Sequence, residues 1–302
     1  MTTVTFDPFA GGELLRVSPA TWPQKEIIAS AQMSDEANTA FNEAVSITIE
    51  GHLDFALLEL CFNRLIERHD ILRSTFSRKG DEICLHPTSL FKLNVEDLRH
   101  LDPEAQKKEI RNLWRNISLS PMNLEEGPLI FAWVQQRTET SSELIIAVHH
   151  IICDGWSFGL LLKELAHLYR NQGAATGLPQ AESFFEYAEQ SDAQEVANFD
   201  IDYWREKFQQ IPPALDLPLD KVRPGLRPFQ ASRVDFTFAE DLARQLPKAA
   251  ATMKASLVNV VMAGYFALLY RLTSTNDLVV GLPVAGQAVF NRINQVGHLV
   301  QL

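Results

Sequence analysis

The apolar run Leu144 to Val148 passes without a polar break into two adjacent histidines, His149 and His150. A strand with aliphatic side chains on both faces has to be covered on both sides, which commits the chain to helices layered over a sheet. A second short run, Leu129 to Val134, reads as a neighbouring strand of the same kind. After the histidines, Phe158, Leu161, Leu162, Leu165, Leu168 and Tyr169 form one helical stripe, with Ser157 placed to cap its start and Asn171-Gln172-Gly173 to end it. The histidines therefore stand where a buried strand gives way to a loop and a helix.

The surrounding pattern fits an α/β (α+β) fold. Val45, Ile47 and Ile49 alternate as in a half-buried strand that stops at Gly51-His52. Asp54 can cap a helix whose Leu58, Cys61, Phe62, Leu65 and Ile66 share a face. Strand-like runs follow at Leu72 to Phe76 and Ile83 to His86, then a charged helix from Pro103 to about Asn116. Prolines 212, 213, 218, 224 and 228 make residues 211 to 230 an extended connection. Beyond it, the alternation of Val234, Phe236 and Phe238, an apolar helix from Leu257 to Leu272 and a buried strand from Leu278 to Val284 start a second α/β lobe. The expected division is a first lobe at 13–175, connecting helices and a proline-rich linker at 176–230, and the start of a second lobe at 231–302, which we expect to be incomplete.

Composition narrows the function. The formal charge of -11 and the lack of a Lys/Arg-rich cluster argue against nucleic acid or an anionic membrane as partner. Met1 to Gly12 lacks a basic region followed by an apolar core, and no stretch reaches the roughly 18 apolar residues of a membrane helix, so a cytoplasmic location is expected. Cys61, Cys84 and Cys153 form an odd set with no CxxC pair, which points to reduced thiols. The sequence contains no phosphate-binding glycine loop and no HExxH, so no nucleotide cofactor or catalytic metal is expected.

Adjacent residues on a strand face opposite ways, so one histidine can pack while the other enters a cleft. Imidazole is suited to accepting or steering a proton near neutral pH, and Gly155 lets backbone approach a reacting carbonyl, where its N–H could hold an oxyanion. Asp154 is expected to orient the site. Read blandly, the histidines are polar strand-end residues, Asp154 is a helix cap and Gly155 a turn. The Asp-Gly at this offset, followed by Trp156-Ser157 and a helix, favours the functional reading.

These residues carry a resemblance. His149 to Gly155 resembles the HHxxxDG motif of the condensation domains of nonribosomal peptide synthetases, in the CoA-dependent acyltransferase superfamily, and Trp156-Ser157 is what peptide-forming members usually show. Arg68 to Phe76 is similar to the family's RHExLRTxF segment, Tyr203-Trp204 to its YW pair, and Gly281 to Gly286 to GxPxAGR. Departures are Phe184 to Gln190 against YxDYAxW, Gln287 in place of the GxPxAGR arginine, and Val296 to Gln301 against IGxFVNT.

The resemblance implies two chloramphenicol-acetyltransferase-like lobes in a V shape. It implies amide formation between a donor acyl or peptidyl thioester and an acceptor aminoacyl thioester, both on the phosphopantetheine of donor and acceptor peptidyl carrier proteins, beside neighbouring modules with adenylation domains. No cofactor of the domain itself is implied. His150 and Gly155 are the catalytic candidates. His149, Asp154, Arg68 and Arg73 are structural at the active site, Arg68 being taken as the partner of Asp154 and Arg73 as second choice. Trp156, Ser157 and Trp204 are candidates for the substrate tunnel, Trp204 with a packing role, and Cys153 is read as packing. The rival readings are an acyltransferase using free acyl-CoA and a non-catalytic recruitment domain of the same fold. Which groups are joined, the donor's configuration and the place in an assembly line stay open.

Overall fold

The computed structural model describes residues 14–193, 198–225, 228, 229 and 231–301. The expectations for Met1 to Gly12, and for 226, 227 and 230 of the proline-rich stretch, lie outside the described residues. The chain forms two compact units, one running to Glu195 and resuming at Pro283, the other from Val196 to Leu282.

The first unit opens with β1 (Arg16–Pro19), α1 (Trp22–Ala31) and α2 (Asp35–Thr39), none of which the hydrophobic pattern had indicated. Then come β2 (Asn42–Glu50), α3 (Phe55–Arg68), a 3-10 turn (Asp70–Arg73), β3 (Ser74–Phe76), β4 (Glu82–Leu85), β5 (Asn94–Asp97) and α4 (Pro103–Leu119). β6 (Ile130–Thr138) and β7 (Ser141–His149) lead into α5 (Gly155–Arg170) and α6 (Phe184–Ala193). Sheet order is β2-β7-β6-β5 in one sheet and β1-β4-β3 in another. β7 is antiparallel to β2, with His149 opposite Asn42 and Val148 opposite Glu43. β5 pairs parallel to β6.

The apolar run explains the layering. Every residue of β7 after Ser141 is buried. Asp54 caps α3 by accepting the Leu57 N–H, and the buried face of α3 is Leu58, Cys61, Phe62, Leu65 and Ile66, the set that the period picks out. Burying each Leu, Ile or Phe of that face contributes roughly 1.5 to 3 kcal/mol. α3 packs on α5, and Leu162, Leu165 and Tyr169 of α5 line one cavity with Ile47, Ile49 and Leu144 of the sheet.

In the second unit α7 (Asn198–Lys207), α8 (Glu240–Thr252) and α9 (Leu257–Thr273) form, and residues 211–219 have neither helix nor strand, as the prolines require. Two expected strands do not form there. Val234, Phe236 and Phe238 are exposed, Phe236 at 90%, and no strand pairs with them among the described residues. Of Leu278 to Val284 only the last residue enters a strand, β8 (Val284–Ala285). A period of two marks strand potential, but a strand exists only where another supplies its hydrogen bonds. Leu72 to Phe76 is likewise a strand only from Ser74. Among the described residues no single helix is long and apolar enough to cross a membrane.

The segment from Pro283, with β8, α10 (Gly286–Val289) and β9 (Val300–Gln301), belongs to the first unit and is held to α5 by Asp154. Asp154, not Ser157, is the N-cap of α5, and Ser157 lies in its first turn. The Asp154 carboxylate accepts from the Ser157 N–H at 2.9 Å, the Ser157 hydroxyl at 2.8 Å, the Gln287 amide at 3.0 and 2.9 Å, and the Leu299 N–H at 3.1 Å. Gly286 is needed beside it, because a Cβ there would stand 2.0 Å from the Leu299 carbonyl oxygen.

The expected pairing of Arg68 with Asp154 is therefore wrong. Arg68 grips Glu164 at 3.0 and 3.2 Å, together with His69 at 2.9 Å. Glu164 lies ten residues along α5 from Asp154, or about 15 Å at helical rise, too far for one guanidinium to serve both. Burial pushes the Glu164 carboxyl up, but the hydrogen bonds from His69 and Arg68 outweigh it and hold it below the usual range. Arg73, the second choice, donates to the His86 carbonyl at 2.6 Å.

Asp154→Asn should cost about 1 to 3 kcal/mol, since its new NH2 would face donors that now point at a carboxylate. Urea unfolding at neutral pH measures this; an unchanged midpoint with an unchanged slope would show that the carboxylate is not what holds the segment.

Candidate functional site

The loop after β7 is fixed by main chain. The His149 N–H donates to the Leu129 carbonyl at 3.0 Å and the His150 N–H to the Phe41 carbonyl at 2.8 Å, which carries the sheet ladder one step past the strand. Ile152 N–H returns to the His149 carbonyl at 3.1 Å. From α1, Gln24 accepts the Thr21 N–H at 3.1 Å and donates to the Ile151 carbonyl at 3.1 Å, fully buried. Main-chain hydrogen bonds and the Gln24 side chain thus hold the histidine loop against the sheet and α1.

The two rings have opposite fates. His149 is buried, and its Nδ1 accepts the Ile151 N–H at 3.3 Å, so the neutral ring carries its proton on Nε2. Burial, followed by the neighbouring His150, pushes its pKa down to about 3. The His150 side chain keeps 26% of its surface exposed. Its Nδ1 lies 2.7 Å from the Cys153 carbonyl oxygen, an acceptor only. The hydrogen-bond network therefore assigns the proton to Nδ1 and leaves the lone pair on Nε2.

His150 lines a cavity of about 600 Å³ with Trp22, Glu26, Phe41, Pro283 and His298. The His298 ring meets His150 edge-on at 4.6 Å between centroids. Burial, again followed by His150, pushes the His298 pKa down to about 4. Glu43 Oε1 stands 3.2 Å from His150 Nδ1. Burial raises the Glu43 carboxyl, and His150 partly offsets this.

The other expected residues are distributed more widely. Gly155 is the exposed first residue of α5 and is not among the residues lining the His150 cavity. Trp156 is half-exposed and donates its indole N–H to the Ile293 carbonyl at 3.1 Å. Ser157 is fully buried between Asp154 and Gly297, accepting the Gly297 N–H at 3.0 Å, so its hydroxyl is internal rather than tunnel-lining. Arg68 sits with Glu164, and Arg73 lines a different cavity with Thr75, His86 and Phe91. Trp204 lies in the second unit, stacked on Phe208 and edge-on to Tyr203. Cys153 is buried, and burial pushes its thiol well above its ordinary value, which removes it as a nucleophile.

Gln24, Glu43 and His298 were not found from sequence. Gln24 had a signal in Thr21-x-x-Gln24, a capping-box spacing. Glu43 had one too: it shares the parity of Val45, Ile47 and Ile49, and a charge on the buried face of a strand needs a partner. His298 stands in the Val296 to Gln301 segment compared with IGxFVNT, but nothing in that segment says that folding brings it beside His150.

The chain matches the Condensation domain family over residues 16–298. Chondramide synthase cmdD of Chondromyces crocatus is 30% identical over 279 residues, which are 90% of this chain and 7% of that protein. This chain thus spans under a tenth of that relative's length. Among solved structures, the four-domain nonribosomal peptide synthetase holo-AB3403 superposes with a TM-score of 0.81 at 20% identity, over 96% of this chain and 22% of that one. The condensation domain of the Monacolin K polyketide synthase MokA gives 0.79 at 19% identity, over 96% and 67%. The two structures show a shared fold, and with a family match that takes in both the His150 loop and His298, this chain belongs to the Condensation domain family.

Proposed function

We propose that this chain forms an amide bond between two thioester-bound substrates, with His150 at the reacting centre. The observation that carries the reading is the contrast of the two histidines: His149 is locked away neutral, while His150 lines a cavity with Nδ1 tied to a carbonyl and Nε2 left to accept a proton. The acceptor's amine attacks the donor's thioester carbonyl, a C–N bond forms, and the amine proton passes to Nε2. The C–S bond then breaks, and the departing thiolate takes that proton back.

An α-amino group with a pKa of about 8 is already partly neutral, so holding and aligning the amine is as large a part of the work as proton transfer. Gly155, the first residue of α5, does not line the His150 cavity, so the oxyanion-donor role expected of it from sequence is not part of this reading. Both substrates ride on phosphopantetheine of peptidyl carrier proteins, and adenylation domains of neighbouring modules load them. The domain needs no cofactor of its own.

Donor and acceptor carriers loaded with defined groups, followed by mass spectrometry of the acceptor carrier, test this. His150→Ala should lower amide formation roughly 100-fold or more while the melting temperature holds. His149→Ala should instead lower the melting temperature, because it empties a buried site. Acyl transfer from free acyl-CoA with none from carriers would replace the reading by the simpler acyltransferase.

The buried rings also predict acid sensitivity. With folded pKa values of about 3 for His149 and about 4 for His298, below the ordinary 6.5, both must be neutral in the fold. Their contribution is complete above pH 6.5. Below it the unfolded chain binds protons that the fold refuses, so stability falls by up to about 1.4 kcal/mol per pH unit for each ring. Urea unfolding at pH 7, 5.5 and 4.5 measures the slope; a flat profile would show that the rings accept charge in place.

A further inference from the structure

We propose that Glu43, rather than Asp154, is the carboxylate that orients His150 and supports its charge during the reaction. The inference rests on the reading of His150 as the reacting imidazole. It begins with the sheet register. Val148 lies opposite Glu43, and the His150 N–H is bonded to the Phe41 carbonyl, so Phe41, Glu43, Val148 and His150 share one face at the end of the β2–β7 ladder. Glu43 reaches Nδ1 from there at 3.2 Å.

The motif aspartate is not available for this work. Both oxygens of Asp154 are taken by Ser157, Gln287 and Leu299, and none of its hydrogen bonds goes to His150. Among the described residues, the His150 ring is the basic group within reach of Glu43, and no Lys or Arg pairs with it. The carboxylate is thus poised beside one ring and answers to no fixed cation.

The Cys153 carbonyl and the Glu43 carboxylate converge on the same nitrogen and divide the task. The carbonyl, at 2.7 Å, sets the tautomer. Glu43 adds a charge. When Nε2 takes the proton of the attacking amine, an imidazolium arises next to an anion already in place, so the charge is created as half of an ion pair. Handing the proton to the leaving thiolate returns the pair to its starting state, so the cycle balances with no further reactant. The remaining charged or titratable groups around the ring are Asp154 at the start of α5, Glu26 of α1, His149 of β7 and His298. None of them has a contact with Nδ1 within hydrogen-bonding distance.

Glu43→Gln keeps the shape and removes the charge. On the same loaded carriers, amide formation should fall roughly 10- to 100-fold with an unchanged melting temperature. The low-pH limb of its rate profile should move to lower pH, because an imidazolium without its anion is harder to form. Independently of turnover, NMR of histidine-labelled protein should show the His150 signal titrating at lower pH in Glu43→Gln than in the unaltered chain. Equal rates and superimposable titrations would overturn the inference. If the unaltered chain makes no amide, the condensation reading fails by itself. The titration then decides on Glu43 alone: a downward shift upholds the coupling and no shift overturns it.

Discussion

Asp154 is a carboxylate with 1% of its surface exposed and, among the described residues, no salt-bridge partner, and the candidate site depends on how that charge is satisfied. Isolated buried anions are costly, and the cost is met here by N–H and O–H groups from the first turn of α5 and from the chain after Pro283. The same carboxylate therefore does two things. It caps α5, which fixes where the histidine loop ends, and it anchors the segment that brings His298 against His150. Gln287 suits the place because one amide nitrogen spans both carboxylate oxygens. It is also a neutral partner, so among the described residues no cation offsets the Asp154 charge beside the His150 loop.

That charge bears on the chemistry. Burial and then the nearby Asp154 raise the Glu43 carboxyl, and the neighbouring His150 partly offsets this. His149 and His298 do not share the load, since burial keeps both neutral at physiological pH. In the proposed reaction, the two carboxylates near His150 favour the positive charge that an attacking amine develops.

What could be read from the sequence follows from whether the cause is local. The buried face of α3 and the helical stripe of α5 are written in spacings of three and four, and both formed as spaced. The burial of β7 and the packing of one histidine with exposure of the other follow from a period of two and an apolar run. β5, with Asn94, Val95, Glu96 and Asp97, has no such pattern and is a strand because β6 lies beside it. Val234 to Phe238 shows the reverse: the pattern is present, but among the described residues no neighbour supplies hydrogen bonds. The Arg68 error has a similar origin, for a motif match gives order along the chain and not distance. Arg68 lies opposite the middle of α5, where Glu164 is, and the aspartate one expected it to meet is nearly three turns away.

The opposite tautomers of His149 and His150 join these arguments. The rings stand at the end of β7 and on the first residue of the loop, whose path is held at the carbonyls of Leu129, Phe41 and Ile151, and each ring's Nδ1 meets a main-chain group. His149 meets an N–H and must accept; His150 meets a carbonyl and must donate. One tight turn at the end of a buried strand thus gives two neutral imidazoles opposite tautomers, each set by the main-chain group that its Nδ1 meets. A side chain is needed only when charge moves. At that moment a backbone carbonyl can stabilise an imidazolium through its dipole alone, whereas a carboxylate on the neighbouring strand supplies a full opposite charge, and Glu43 is the residue that the ladder places there.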